Sequence, residues 1–218
     1  MPEIRAFIFN YFYENTYVLY DETHECIIID PGCSNGNENA ELDKFIKLKE
    51  LKPVHLLNTH CHIDHIFGNL HVSEKYNLPL ETSIEELETL RYSDISADKF
   101  GIPRAHSPEP TVFLKEGDIV TFGNTKLEVL FVPGHSIGHI AFYCRESGFI
   151  ISGDVLFRES IGRTDLPGGD FETLMKSIHD KLMPLDDKTE VYSGHGTMTT
   201  IGYERKNNPF ILEQKWEQ

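Results

Sequence analysis

Three histidines and one aspartate lie close together in the segment Thr59–His65, which reads THCHIDH. This composition favours metal binding, because imidazole nitrogens and carboxylate oxygens are common ligands of protein-bound metal ions. His60 and His62 are two residues apart, so an extended backbone points both side chains to the same side. Asp64 and His65 fall where the following helix is expected to begin. The segment is therefore predicted to present two separate groups of ligands.

Three later segments each place a histidine or an aspartate directly after a predicted strand: Gly134-His135, Gly153-Asp154 and Gly194-His195-Gly196. Any one of them alone is better explained as a turn residue or as a buried histidine. Binding and catalytic residues concentrate in the connections at strand ends. The recurrence of the pattern therefore favours one shared site.

The strands and helices that must position these residues are predicted from hydrophobic periodicity and turn residues. A helix with Leu42 and Ile46 on one face should end before Pro53. Ser83 and Glu86 match a capping box, which predicts a second helix running through Leu87 and Leu90. The strands expected in this half are Ile4–Phe9, Tyr17–Tyr20, Cys26–Asp30 and Val54–Asn58.

The second half repeats this order of strands and then a helix. The stretch Phe100–Pro110 contains three prolines and is predicted to be a loop. Asp170 should cap a helix whose apolar stripe runs from Phe171 to Leu182. The pattern indicates an α/β protein with two sheets back to back and helices outside, in one domain over residues 1–218. The expected strands are Thr111–Leu114, Ile119–Phe122, Lys126–Phe131, Ile140–Cys144, Phe149–Ser152 and, as the last strand, Glu190–Tyr192.

Composition limits the classes of function. A hydrophobic content of 39% and a charged content of 25% are typical of a globular protein with a sizeable core. The formal net charge of −15 disfavours binding to nucleic acid or to an anionic membrane surface. A local cluster of a few Arg or Lys side chains would still bind a small anionic substrate. Four cysteines without a CxxC pair fit a reducing compartment, so we expect a cytoplasmic protein. The segment Met1–Asn10 lacks a signal-peptide core, and no run reaches the roughly 18 apolar residues of a membrane helix.

The motifs THCHIDH, GHSIGH, SGD and GHG occur in this order and resemble the metal-binding motifs of the metallo-β-lactamase superfamily. The resemblance spans Asp30 to His195. It implies a four-layer αββα sandwich, in agreement with the strands and helices predicted above. By motif match, His60, His62 and His135 would hold the first metal, Asp64, His65 and His195 the second, and Asp154 would bridge both.

All seven of these residues are nitrogen or oxygen donors, which suits two divalent metal ions. Zinc is preferred, and iron and manganese are also acceptable. Two ions about 3.5–4 Å apart lower the pKa of a shared water towards neutrality and so supply a hydroxide nucleophile. The ligand carboxylates Asp64 and Asp154 are therefore also the candidate catalytic residues.

Three further polar residues lie in or near these motifs. Cys61 should face away from the neighbouring histidines in an extended backbone, so we interpret it as a packing residue. His139 and Asp30 are candidates for orienting the ligands rather than binding metal. A purely structural role is favoured for His139, and a role in the turn Asp-Pro-Gly accounts equally for Asp30.

Within the superfamily, the stretch Ser152–Asp170 and the segment GHGTMTTIGYERKNNPF are similar to small glyoxalase II-type hydrolases. The resemblance implies a thioesterase that cleaves 2-hydroxyacyl thioesters of glutathione with a metal-bound hydroxide. A thiolate leaves without strong acid assistance, because the thiol pKa is about 8.5, whereas an amide requires a proton donor.

The resemblance also has gaps. Full-length glyoxalase II enzymes carry an additional C-terminal helical domain, which we expect to be absent here. Two glutathione-contacting tyrosines of that family correspond to Asp165 and Thr197. Arg163 occupies the family's basic position and is the candidate substrate-binding residue. The interpretation that it is a surface arginine without a role in binding has equal weight.

Two alternative functions share the fold. Iron persulfide dioxygenases resemble the chain at Gly162–Asp165 and would bind a single iron at His60, His135 and Asp154. The complete second set of ligands suits a dinuclear hydrolase better. A metal-binding protein without turnover is disfavoured because no ligand position is missing. A β-lactamase is disfavoured by the thioesterase-like second half and a ribonuclease by the acidic charge, while the oligomeric state is left open.

Overall fold

Alternating hydrophobic residues build the first half of the molecule around a sheet. The structure is a computed structural model that describes residues 1–213, apart from the side chain of Phe100. The elements of this half, in chain order, are β1 (Glu3–Phe9), β2 (Glu14–Tyr20), β3 (Glu25–Ile29), α1 (Gly36–Leu48), β4 (Lys52–Leu57), α2 (Ile63–Ile66), α3 (Asn69–Tyr76), β5 (Leu80–Thr82), α4 (Glu86–Phe100) and β6 (Val112–Phe113).

The second half begins with a run of antiparallel strands and ends in helices. Helix α5 continues into a π-helical turn, Ile178–Leu182. The elements are β7 (Ile119–Phe122), β8 (Thr125–Phe131), β9 (Ile140–Cys144), β10 (Phe149–Gly153), β11 (Leu156–Phe157), β12 (Ser160–Ile161), α5 (Phe171–Ser177), β13 (Glu190–Ser193), β14 (Thr199–Thr200), α6 (Ile201–Asn207) and α7 (Pro209–Glu213).

The strands form two six-stranded sheets, in the orders β1-β2-β3-β4-β5-β6 and β14-β13-β10-β9-β8-β7. Strands β3, β4, β5 and β6 run parallel to one another, and β10 runs parallel to β13. The carboxyl ends of parallel strands meet at one edge of a sheet. The loops that follow β3, β4, β10 and β13 are therefore brought together, and these loops carry most of the predicted ligands.

The two sheets pack face to face with helices on the outside. In β2, Tyr17 and Leu19 enter the core between the sheets, whereas Val18 faces the helices of the first half, as strand alternation requires. Leu42 of α1 covers the outer face of the first sheet, and Leu174 of α5 covers that of the second. The result is the predicted four-layer αββα sandwich.

Several details of the sequence-based prediction are wrong. The capping box is not formed: α4 begins at Glu86, the Ser83 hydroxyl donates to the Gly138 carbonyl oxygen, and the Glu86 carboxylate turns away from the helix end. The predicted last strand is followed by β14, because the turn after His195 returns the chain antiparallel to β13. Strand β4 starts at Lys52, before the proline that we expected to precede it. The prolyl loop and the Asp170 cap are confirmed.

Among residues 1–213, none of the helices has both the length and the apolar character that crossing a bilayer requires.

Candidate metal centre

The loop after β4 carries four of the predicted ligands. Strand β4 ends at Leu57, the backbone bends at Thr59, and His62 is extended just before α2 begins at Ile63. The side chain of Cys61 points away from the histidines into an apolar cluster with Ile66 and Leu90, which confirms its packing role. The start of α2 after His62 separates His60 and His62 from Asp64 and His65.

The first group of donors consists of three histidines. The His62 Nδ1 atom lies 2.9 Å from Nε2 of His135, which follows β8 in the second half. The ring centroids of His60 and His62 are 4.8 Å apart, and those of His60 and His135 are 4.9 Å apart. One nitrogen from each of the three side chains lies within 4.8 Å of the others.

The second group combines Asp64, His65 and His195, again with one donor atom each within 4.8 Å of the others. The His195 Nε2 atom lies 3.1 Å from Oδ2 of Asp64. The His65 Nε2 atom lies 3.7 Å from the same oxygen. His195 follows β13, so this group also joins the two halves of the chain.

Asp154 lies between the two groups. Its Oδ2 atom is 3.5 Å from His135 Nε2 in the first group and 3.5 Å from His195 Nε2 in the second. Its Oδ1 atom is 3.5 Å from His65 Nε2. The structure thus brings all seven predicted ligands together, and Asp154 contacts both groups.

Four imidazoles are oriented by an acceptor on the ring nitrogen that faces away from the centre. His135 Nδ1 donates to the Arg163 carbonyl oxygen at 2.7 Å, and His195 Nδ1 donates to the Phe12 carbonyl oxygen at 3.1 Å. His65 Nδ1 donates to Asp30 Oδ2 at 3.2 Å. The Thr59 hydroxyl donates to that same oxygen and accepts from His60 Nδ1 at 3.0 Å. In the neutral form of each ring, the Nε2 atom directs its lone pair towards the centre, the arrangement that metal-ligating histidines use.

Buried polar atoms without a hydrogen-bond partner show whether this centre suits metal ions, because a bound ion would supply the missing partner. Within residues 1–213, His60 Nε2, His65 Nε2 and Asp154 Oδ1 are buried and make no hydrogen bond. An unpaired buried polar atom costs about 1–3 kcal/mol, so three in one cluster require an explanation. Divalent cations bound by nitrogen and oxygen donors would satisfy all three atoms.

The protonation states of the donors also suit metal binding. Burial lowers the pKa of His62 to about 3 and holds the pKa of His60 well below its usual value, so both rings are neutral. Burial also lowers the pKa of His135. For Asp154, burial alone would raise the pKa, but the positive charge of His65 outweighs it and lowers the pKa. The first donor group therefore offers neutral imidazoles beside an ionised carboxylate, whereas the neighbouring carboxylates raise the pKa of His65 against the effect of burial, so its proton would leave when a cation binds.

Two buried side chains hold the ligand loops. His139, which we had read as structural, accepts the backbone N–H of Asp154 on Nε2 at 3.1 Å and stacks on His60 with centroids 4.6 Å apart. Asp30 accepts from His65 and from the Thr59 backbone N–H, the latter at 2.7 Å. Both contacts favour an orienting role.

Sequence reasoning missed the burial of two carboxyl groups beside the metal centre. Glu14, at the start of β2, has an oxygen 3.9 Å from His65 Nδ1, and burial raises its pKa well above the usual value. Glu86 accepts from backbone and hydroxyl groups of two ligand loops. Glu14 begins a strand and Glu86 begins a helix, and charged residues at such positions are usually exposed. The sequence therefore gives no sign that these two carboxyl groups are buried.

Close approach of the backbone explains one glycine of the GHG motif. A Cβ atom at Gly194 would lie 2.1 Å from Asp154 Oδ1 and 2.7 Å from His65 Cε1. Gly153, directly before Asp154, has a φ of 51°, and a Cβ there would lie 2.5 Å from Thr59 Oγ1. Only glycine fits these two positions without moving a ligand or a side chain that orients one.

The predicted substrate-binding residue Arg163 lines a cavity next to the centre, with about half of its side chain exposed. Its guanidinium donates to both carboxylate oxygens of Asp165, at 2.7 and 2.8 Å. Thr197 lies exposed beyond His195. The role of Arg163 as an anion contact stays a prediction.

The chain belongs to the metallo-beta-lactamase superfamily, because residues 10–195 match that family. It is 41% identical to a probable metallo-hydrolase, YqgX, of Bacillus subtilis over 90% of this chain and 92% of the relative. It is 38% identical to the hydroxyacylglutathione hydrolase GloC of Haemophilus influenzae over 92% of this chain and 93% of the relative.

Two solved structures are similar over nearly the whole chain. BLEG-1, a B3 metallo-beta-lactamase, is 36% identical with a TM-score of 0.88, covering 96% of this chain and 99% of its own. TTHA1623 in a di-iron-bound form is 35% identical with a TM-score of 0.85, covering 94% of this chain and 99% of its own. The fold and the metallo-hydrolase family of the chain are thereby established.

Proposed function

We propose that the protein is a dinuclear metal-dependent thioesterase that hydrolyses 2-hydroxyacyl thioesters of glutathione. The observation that carries this proposal is the joining of two donor groups through Asp154, with the outer nitrogens of four of the five imidazoles already held by an acceptor. The 38% identity to a hydroxyacylglutathione hydrolase over most of both chains supports the substrate class.

In this proposal His60, His62 and His135 would hold one divalent ion and Asp64, His65 and His195 the other, with Asp154 between the two groups. Bound ions of this kind supply a nucleophile at neutral pH and polarise the thioester carbonyl. Zinc suits the donors, and iron is supported by the di-iron form of a similar structure.

The protein's own residues supply orientation. The carbonyl oxygens of Phe12 and Arg163 and the carboxylate of Asp30 fix three imidazole rings, so no reorganisation is needed during the reaction. Asp154 is fixed through its backbone N–H by His139. The thiolate leaves without a proton from a side chain, because the pKa of the corresponding thiol is only about 8.5.

The test is thioester cleavage by the metal-loaded protein, followed by loss of thioester absorbance with S-lactoylglutathione. Asp154→Asn serves as the inactive control. Parallel assays measure oxygen uptake with glutathione persulfide and cleavage of a chromogenic cephalosporin, the latter because one similar structure is a B3 metallo-beta-lactamase. Oxygen uptake without thioester cleavage assigns the dioxygenase function instead, and cephalosporin cleavage alone assigns a β-lactamase.

A further inference from the structure

A cavity of about 530 Å³ adjoins the metal centre and is lined in part by His62, Asp64, His135, Asp154 and His195. Its volume lies within the range of about 300–1,000 Å³ that is typical of small-molecule sites. The reacting carbonyl of a substrate must lie next to the ligand side chains. The rest of the cavity therefore contacts a part of the substrate that does not react.

The cavity wall away from the centre is mostly apolar. Besides Phe12 of the β1–β2 hairpin, four separate segments supply its apolar side chains: the start of α2, the middle of α4, the loop after His135, and the stretch from β11 to the loop before α5. These side chains are Ile63, Tyr92, Ile137, Phe157, Ile161 and Leu166. Tyr92 and Ile137 are 40% and 43% exposed, so apolar surface faces the cavity and solvent. Such surface is stabilised by contact with an apolar ligand.

Charged groups are scarce in this wall. Among the described residues that line the cavity outside the metal centre, only Glu88 and Arg163 carry a charge. Arg163 is already paired with Asp165 through two hydrogen bonds. Glutathione has carboxylates and an ammonium that are ionised at neutral pH. Placing all of them inside would bury carboxylates for which this wall has no unpaired cation, which is strongly unfavourable.

We infer that the cavity binds the acyl arm of the substrate and that this arm is a bulky, uncharged, apolar 2-hydroxyacyl group. The charged ends of glutathione then lie in solvent at the mouth, near Arg163. The inference rests on the proposed thioester hydrolysis for its chemistry and on the cavity wall for its specificity. A lactoyl group, with a single methyl, leaves most of this wall without a contact.

The experiment compares kcat/KM of the metal-loaded protein for S-lactoylglutathione and S-(2-hydroxyhexanoyl)glutathione. The two substrates share the leaving group and the 2-hydroxyl and differ only in methylenes remote from the carbonyl, so their intrinsic reactivity is closely matched. A single methylene in an apolar pocket gives discrimination of about 10–200-fold. We therefore expect the longer substrate to be favoured by at least about tenfold.

Two variants test which wall is responsible. Ile137→Ser and Tyr92→Ser should each reduce the preference for the longer substrate by roughly threefold or more. Both side chains are partly exposed, so neither change should unfold the protein. Ile95→Ser is the matched control, because Ile95 is on α4, is 53% exposed and does not line the cavity. The control should keep the full preference.

A binding measurement separates this inference from the proposed function. Titration calorimetry compares S-hexylglutathione with S-methylglutathione, which contain no thioester and cannot be hydrolysed. We expect the hexyl compound to bind at least about tenfold more tightly and Ile137→Ser to reduce this difference, which would support the cavity assignment. If this binding is observed but no thioester is cleaved, only the proposed hydrolase activity is overturned. Equal binding together with equal kcat/KM for both thioesters overturns the inference and leaves the hydrolase standing.

Discussion

The backbone N–H of Cys61 donates a hydrogen bond of 2.7 Å to the buried carboxylate of Glu86. The other oxygen of this carboxylate accepts the backbone N–H of Gly138 at 2.9 Å and the hydroxyl of Ser136. Glu86 opens helix α4, so one side chain ties this helix to the loops that carry His60, His62 and His135. The helix that forms one wall of the cavity is thereby fixed to the first donor group.

We predict that Glu86→Gln weakens metal binding about 10–100-fold, the size typical of groups that position ligands. The amide nitrogen of glutamine cannot accept, so one loop N–H would lose its partner. Chelator competition measures the affinity, and thermal unfolding of the metal-free protein reports the structural cost separately. Glu85→Gln is the control, since Glu85 is exposed and makes no capping bond. Equal affinities in the two variants would refute the positioning role.

The bridging position of Asp154 predicts that Asp154→Asn costs more activity than Asp64→Asn. Asp154 contacts donors of both groups, whereas Asp64 contacts only the second. We expect the kcat/KM of the Asp154 variant to be about tenfold lower than that of the Asp64 variant, because the loss of one additional charged contact has an effect of this size. An active Asp154 variant beside an inactive Asp64 variant would show that the bridge is misassigned.

Metal content should be about two ions per chain in the replete protein, because seven donors exceed what one site uses. Mass spectrometry measured against protein concentration gives the ratio. His195→Ala should lower it to about one, since the second group loses a third of its donors. His179→Ala, an exposed histidine outside the centre, should leave the ratio at its original value. A ratio near one for the wild type, unchanged by His195→Ala, contradicts a dinuclear centre.

The pairing of Arg163 with Asp165 predicts opposite effects of two substitutions on KM for glutathione thioesters. Arg163→Ala should raise KM about twofold to fivefold, the range for an exposed ion pair, with kcat little changed. The Arg163 carbonyl that holds His135 is kept in this variant. Asp165→Asn should free the guanidinium and lower KM. Arg145→Ala is the control, because this arginine is also paired with a carboxylate but lies outside the cavity. A KM insensitive to both changes makes Arg163 a plain surface residue.

Stability should depend on pH through His55. Its Nδ1 lies 2.6 Å from Glu81 and its Nε2 lies 3.1 Å from the Thr121 carbonyl oxygen in the second sheet, so only the protonated ring donates to both. The hydrogen bond to Glu81 raises the pKa of His55. This stabilisation is therefore complete below the unfolded pKa of about 6.5 and is lost as pH rises through the higher folded pKa.

The expected loss is about 0.5–1 kcal/mol, or about 1–4 °C in Tm, because the pair is partly exposed. The measurement is the Tm of the wild type minus that of His55→Gln, taken at several pH values so that other titrating groups cancel. A difference that grows with pH would have the wrong sign for this pair.

The sequence predicts the layers of the fold and the convergence of the ligands, because strand alternation and strand-end motifs are local signals. Short strands such as β11 and β14 were missed, since two residues carry no periodicity. The capping box at Ser83 was wrong because long-range partners, the Gly138 carbonyl oxygen and the Cys61 N–H, compete for the same side chains. No local pattern reports such partners, nor the burial of Glu14.

Each donor group takes side chains from both halves of the chain, and His62 and His135 are 73 residues apart. A bound ion would thus act as a reversible cross-link that closes a long loop, which removes chain entropy from the unfolded state as a disulfide does. The interior between the sheets does not depend on this link. Removing the metal with a chelator should accordingly speed amide hydrogen exchange in the loops after β4, β8 and β13. Exchange in the central strands should be equally slow with and without metal.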